Sequence, residues 1–122
     1  MQKLLFEDAW DRTISDGDRK WIQHVFENTK LPLDQVLFTS LRQAINHRGD
    51  LLVSVIVHNT KNTEIAPVQQ HFSYVVDHKL IAEHTFSIPT IKSKTSMPWT
   101  FIFPKGSYKE NEELLGGEIE RK

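Results

Sequence analysis

Six histidines are the most conspicuous source of chemistry in this 122-residue chain. His58, His71 and His84 fall in or near alternating apolar segments, and His47 and His78 fall in polar turns. Metal sites draw ligands from short local spacings or adjacent strands, usually with carboxylates beside them. No histidine pair has the i, i+4 spacing of a helical site, and no His-x-His occurs. Solvated or hydrogen-bonded imidazoles are therefore the expectation. His84 stands apart, because strand parity places it on an apolar face. Nucleophilic chemistry fares no better. There is no Gly-x-Ser-x-Gly elbow and no cysteine, so neither a serine triad nor a thiol is indicated. Asp16 with Asp18, and Glu112 with Glu113, sit in a helix start and a charged tail, where capping and solvation account for them. None of the five glycines forms a phosphate loop. The expectation is a protein that is not an enzyme and uses no cofactor.

The basic residues offer binding rather than catalysis. Arg42, His47 and Arg48 surround a predicted hairpin, and Lys92 and Lys94 precede a late strand. Should the hairpin turn and the 89–95 loop share one end of a sandwich, these five form a candidate interaction patch for an acidic protein or an anionic wall polymer. An ordinary mixed surface is the alternative. Fifteen Lys and Arg against 16 acids give a formal net charge of -1, so no global field draws in nucleic acid or anionic lipid. The aromatics follow core parity rather than interleaving with the basic residues, which also argues against single-stranded nucleic acid.

The elements that must position these residues are mostly strands. Residues 96–104 alternate, with Met97, Trp99, Phe101 and Phe103 on one face and a proline near each end. Residues 51–58 are apolar on both faces: Leu51, Val53, Val55 and Val57 on one, Leu52 and Ile56 on the other. That pattern predicts a central strand covered on both sides. Ser15 is a helix cap with Asp18 in capping-box position, and Trp21, Ile22, Val25 and Phe26 form one stripe of a helix over about 16–29. In residues 36–45, Leu37, Leu41 and Ile45 share a side, with Phe38 opposite. Residues 71–76 send Phe72, Tyr74 and Val76 one way, and 80–88 align Leu80, Ala82, Phe86 and Ile88 with His84. Residues 59–63 read as a polar turn with no purpose in a core, and 3–10 as a short strand. Core anchors are Trp21, Phe26, Val55, Trp99, Phe101 and Phe103.

One domain over 1–105 is expected, followed by a flexible charged tail over 106–122. The fold class is mainly β with an N-terminal helix: an antiparallel, immunoglobulin-like β-sandwich, or alternatively a partly open barrel. The N-terminal apolar run, Leu4 to Phe6, is too short for a signal peptide. No run approaches the ~18–20 apolar residues of a membrane span. A cytoplasmic or membrane-peripheral protein is expected, with pairing between copies through exposed sheet edges open to it.

Taken together, these segments resemble the SLAP domain family of Firmicutes, named for accessory Sec system S-layer assembly proteins. The resemblance runs over about 6–105. It rests on Glu7-Asp8-Ala9-Trp10, then Thr13-Ile14-Ser15 before a helix, Lys30-Leu31-Pro32-Leu33, and a strand Leu52-Val53-Ser54-Val55-Ile56-Val57-His58-Asn59. Its most specific piece is Pro98-Trp99-Thr100-Phe101-Ile102-Phe103-Pro104. Met97 stands where that family often has arginine before the Pro-Trp pair. The resemblance implies a non-catalytic protein-interaction module for specialised secretion or surface-layer assembly, with secretion machinery or a surface-layer protein as partner. A wall-glycan-binding module is the second reading, and a metal-binding protein or enzyme a distant third.

Overall fold

Leu51, Val53, Val55 and Val57 are wholly buried toward one side of their strand, and Ile56 and His58 toward the other. A strand apolar on both faces needs a cover on each, and the rest of the chain supplies two. The computed structural model describes residues 1–66, 69–110 and 112–121. Its elements are β1 (Lys3–Leu4), α1 (Asp8–Thr13), α2 (Asp16–Glu27), β2 (Val36–Ile45), β3 (Leu51–Asn59), β4 (Gln69–Val76), β5 (Lys79–Ser87), β6 (Thr95–Phe103) and β7 (Glu118–Arg121). One sheet has the order β1-β6-β3-β2 and the other β5-β4-β7. All pairs are antiparallel except β1 with β6.

The two sheets face each other across one core. Phe72 and Phe101 meet there with ring centroids 4.8 Å apart, and Phe38 sets its edge against both. Val55, Phe101 and Phe103 are fully buried, as is Tyr74 from the opposing sheet. The sheets also join at their margins. Ser40 Oγ on β2 donates to Gly117 O beside β7 at 2.7 Å. Across the molecule Tyr108 bridges to Ala82 on β5.

The second cover is helical. Ser15 caps α2 by accepting from the Asp18 N–H at 3.1 Å. This helix buries Ile22 and stacks Phe26 on His58 at 6.4 Å. The helices cover only the half of the sheet's outer face around Ile56 and His58.

Several expectations need correction. Residues 3–10 do not form one strand: β1 ends at Leu4 and α1 begins at Asp8, its first turn capped by the Glu7 carboxylate. Phe38 faces the core opposite Val57, and β2 carries a bulge at Leu41. The bulge reverses the facing of everything beyond it, so Leu37 and Leu41 look outward while Ile45 turns to the other face. Trp21, Phe26 and Trp99 are half-buried rather than core anchors. Trp99 packs against the core's margin.

The 59–63 turn does have a purpose. Asn59 is wholly buried, and its Nδ2 donates to Thr63 O, Ile91 O and Lys92 O while its Oδ1 accepts from Lys61 N. It ties the end of β3 to the loop before β6. The segment after 105 is no loose tail. Ile119 is buried on β7, Tyr108 is buried, and Leu114 packs against the core. Residues 111 and 122 of that segment lie outside the described residues.

Pro98 does not begin a strand but sits inside β6, opposite Ile56. Leu5 N–H donates to Ser96 O, so even-numbered residues of β6 turn their polar groups toward β1. Since β1 has ended by Pro98, its missing N–H interrupts no ladder.

Candidate functional site

The helices leave bare the other half of the outer sheet face, and register defines its two rows. Arg42, Ser54 and Thr100 stand side by side across β2, β3 and β6, with Ala44, Leu52 and Ile102 in the next row. Ser54 Oγ and Thr100 Oγ1 are hydrogen-bonded at 2.9 Å. Leu52 is half-buried, Ala44 is exposed and Ile102 is 49 % exposed. The result is a polar strip beside an apolar one, both open to a partner.

A wall of helix borders this shelf. The Arg42 guanidinium lies over the Trp21 ring at 4.8 Å and pairs with Asp18 at 2.9 Å. Both ends of that ion pair are about half exposed, so it contributes little to stability. Its effect is to hold the guanidinium over the indole. Beneath lies a cleft of about 150 Å³ lined by Trp10, Ile14, Trp21, Leu41 and Ser54 among others. A wider, more open depression of about 510 Å³ shares Trp10, Ile14 and Asp18 and extends to Thr13 and Ser15. Two indoles, one carboxylate, one guanidinium and a hydroxyl pair can bind a peptide or a sugar ring. Arg19 adds a second stacked cation, over Phe6 at 4.8 Å.

The candidate basic patch is not assembled. His47 and Arg48 lie in the turn joining β2 to β3, at the Leu51–Phe103 end of the sheet. Lys92 and Lys94 lie near the Asn59–Thr95 end, roughly 30 Å away along nine residues of β3. Lys94 Nζ donates to Thr60 O at 2.7 Å. Arg48 sits 3.9 Å from Asp50, whose carboxyl is held below its ordinary range by the Lys105 N–H and then by Asn46. Of the five, only Arg42 belongs to the shelf. Trp21 joins it in a role the sequence did not suggest, and the bulge that aims Arg42 outward leaves no signature in residue type.

The histidines divide by environment. His84 is exposed on β5 with its ring against the Phe86 edge at 5.1 Å. His71 Nε2 lies 3.3 Å from Glu83. His58 Nδ1 lies 2.6 Å from Ser96 Oγ, a distance suited to nucleophile activation. Both side chains are fully buried, however, so a substrate does not reach them. Burial pushes the His58 imidazole down to about 4.

Among the described residues no helix is long and apolar enough to cross a membrane. No curated protein and no solved structure matches the chain. A family model described as the SLAP domain matches residues 4–116, taking in both helices and β2 to β6. The chain belongs to the SLAP domain family.

Proposed function

We propose that this chain is a non-catalytic protein-interaction module of an accessory secretion or surface-layer assembly route, and that it receives its partner on the open half of the outer sheet face. The reading takes its setting from the family. The observation that carries it is the pairing of the Arg42–Ser54–Thr100 and Ala44–Leu52–Ile102 rows with the Trp21–Arg42–Asp18 cluster. Aromatic and arginine anchors beside an apolar strip are the composition of protein-binding hot spots. The two-sheet body, immunoglobulin-like on this reading, serves as a rigid support. Neither a cofactor nor nucleic acid takes part, and the module works in the cytoplasm or at the membrane periphery.

A second reading, wall-glycan binding, is favoured by Trp10 and Trp21 lining one cleft with Asp18 and Arg42. Edge pairing between copies belongs to the proposal too, with β6 beyond Ser96 as one open edge. The test is tagged co-purification from cytosolic, membrane and wall fractions, comparing wild type with Arg42→Glu. Recovery of secretion-motor components or a surface-layer precursor, lost in Arg42→Glu, supports the assembly role. Retention on wall stripped of protein moves the conclusion to glycan binding. Enrichment in neither retires both.

A further inference from the structure

We propose that His58 is a proton-operated latch for the N-terminal layer: charging its imidazole frees β1 and α2 from the four-stranded sheet. The imidazole has a neighbour from each flanking strand and from α2, and its partner Ser96 is held in turn by the residue before β1. Nε2 lies 2.8 Å from Thr39 Oγ1 on β2, and Nδ1 lies 2.6 Å from Ser96 Oγ on β6. Gln2, beside β1, donates to Ser96 Oγ and to Asn59 O, both at 3.0 Å. Phe26 of α2 stacks on the ring with planes 19° apart.

Hydrogen-bond accounting sets the resting state. Ser96 Oγ accepts from Gln2; we assign its own proton to His58 Nδ1, the acceptor beside it, and Nε2–H to Thr39, the tautomer that leaves every hydrogen of the cluster with a partner. A proton added at Nδ1 turns that acceptor into a donor. The Ser96 hydroxyl then faces two donors with no acceptor for its own hydrogen, and a full charge sits where no water reaches.

Among the described residues no countercharge is at hand. The contacts from β2, β6 and α2 are Thr39, Ser96 and Phe26, with Gln2 on Ser96 behind them, all uncharged. Lys3 of β1, Arg42 of β2, and Asp16, Asp18, Arg19, Lys20, His24 and Glu27 of α2 contribute no charge interaction there. Burial alone holds the imidazole at about 4, against 6.5 when solvated.

The layer above is the part able to give. β1 pairs at two positions only, and Ile22 is the one buried residue of α2. Lifting it solvates His58, which then takes up a proton at its ordinary pKa. The opening constant therefore rises as pH falls below 6.5, by up to tenfold per unit, and levels off at about 300-fold well below pH 4. Above 6.5 the latch is fully closed.

Amide hydrogen exchange on the full chain from pH 7.5 to 5, corrected for intrinsic rates, tests this. The expected result is that α2 and β1 amides open more readily at low pH, approaching tenfold per unit below 6.5, and at every pH open more readily than β4 amides, which wait for global unfolding. His58→Gln, uncharged at every pH, should flatten that dependence. Protection in α2 that follows β4 at every pH overturns the latch, as does a pH dependence that survives His58→Gln. Should that variant not fold, the wild-type imidazole's NMR titration decides. A midpoint near 6.5 with α2 still protected overturns the proposal, and a depressed midpoint rising as α2 opens supports it.

Discussion

Gly117 lies against the ring of Tyr74 so closely that no other residue fits there. Its N–H donates to the Tyr74 hydroxyl at 3.1 Å, and that hydroxyl donates to Leu114 O at 2.6 Å. A Cβ at Gly117 would come within 2.5 Å of the ring and 2.7 Å of Val75 O. Gly117→Ala must therefore shift backbone as well as side chain. The expected loss is about 3 kcal/mol, the upper range for overpacking, read as a lower urea midpoint with an unchanged m-value.

The same contact ties the C-terminal segment to the body. Ile119→Ala should cost about 3 kcal/mol, as for other buried isoleucines, and deletion of residues 106–121 should abolish a single cooperative transition. A truncated chain that melts like the intact one would return the segment to the status of a solvated tail.

Asn59 carries the other concealed junction. Asn59→Ala removes hydrogen bonds to three carbonyls and one N–H, with an expected loss of about 2–4 kcal/mol. Asn59→Asp should be worse at neutral pH, since a carboxylate then faces those carbonyls. It should recover partly on acidification as the group is neutralised. Thermal melts of both variants at two pH values read this directly.

These junctions show where the sequence was legible and where it was not. The central strand β3 and the aromatic run of β6 were readable, because burial on a strand leaves a period of two. The α2 start was readable because Ser15 obeys a local capping rule. The β2 bulge was not: an extra residue changes facing without changing composition. Asn59 resembles any turn asparagine until its distant carbonyl partners are known. The 106–121 segment hides one buried isoleucine and one close-packed glycine among charged residues. The basic patch failed for a topological reason, since residues near opposite ends of one long strand cannot meet.

Arg42 should separate function from stability. Arg42→Ala removes an exposed ion pair and a cation–π contact, with an expected cost of about 1 kcal/mol or less. Partner capture should nonetheless fall at least tenfold. Equal losses in both measurements would make Arg42 a structural residue only.

Edge pairing predicts its own signature. Residues 95–104 carry no charge, so wild type should show concentration-dependent association by sedimentation, and Ile102→Lys should suppress it with little change in melting midpoint. Association untouched by that substitution would locate the contact elsewhere.

The parallel pairing of Lys3 with Thr95 also has a consequence for biosynthesis. A chain emerging N-terminus first exposes its opening strand long before the sixth strand exists to receive it. The β2–β3 hairpin can form early, but until β6 arrives its apolar outer surface has no neighbour on that side. Completion of the larger sheet thus waits for β6. Until β6 emerges, the nascent chain carries an unfinished sheet edge open to whatever binds unpaired strands.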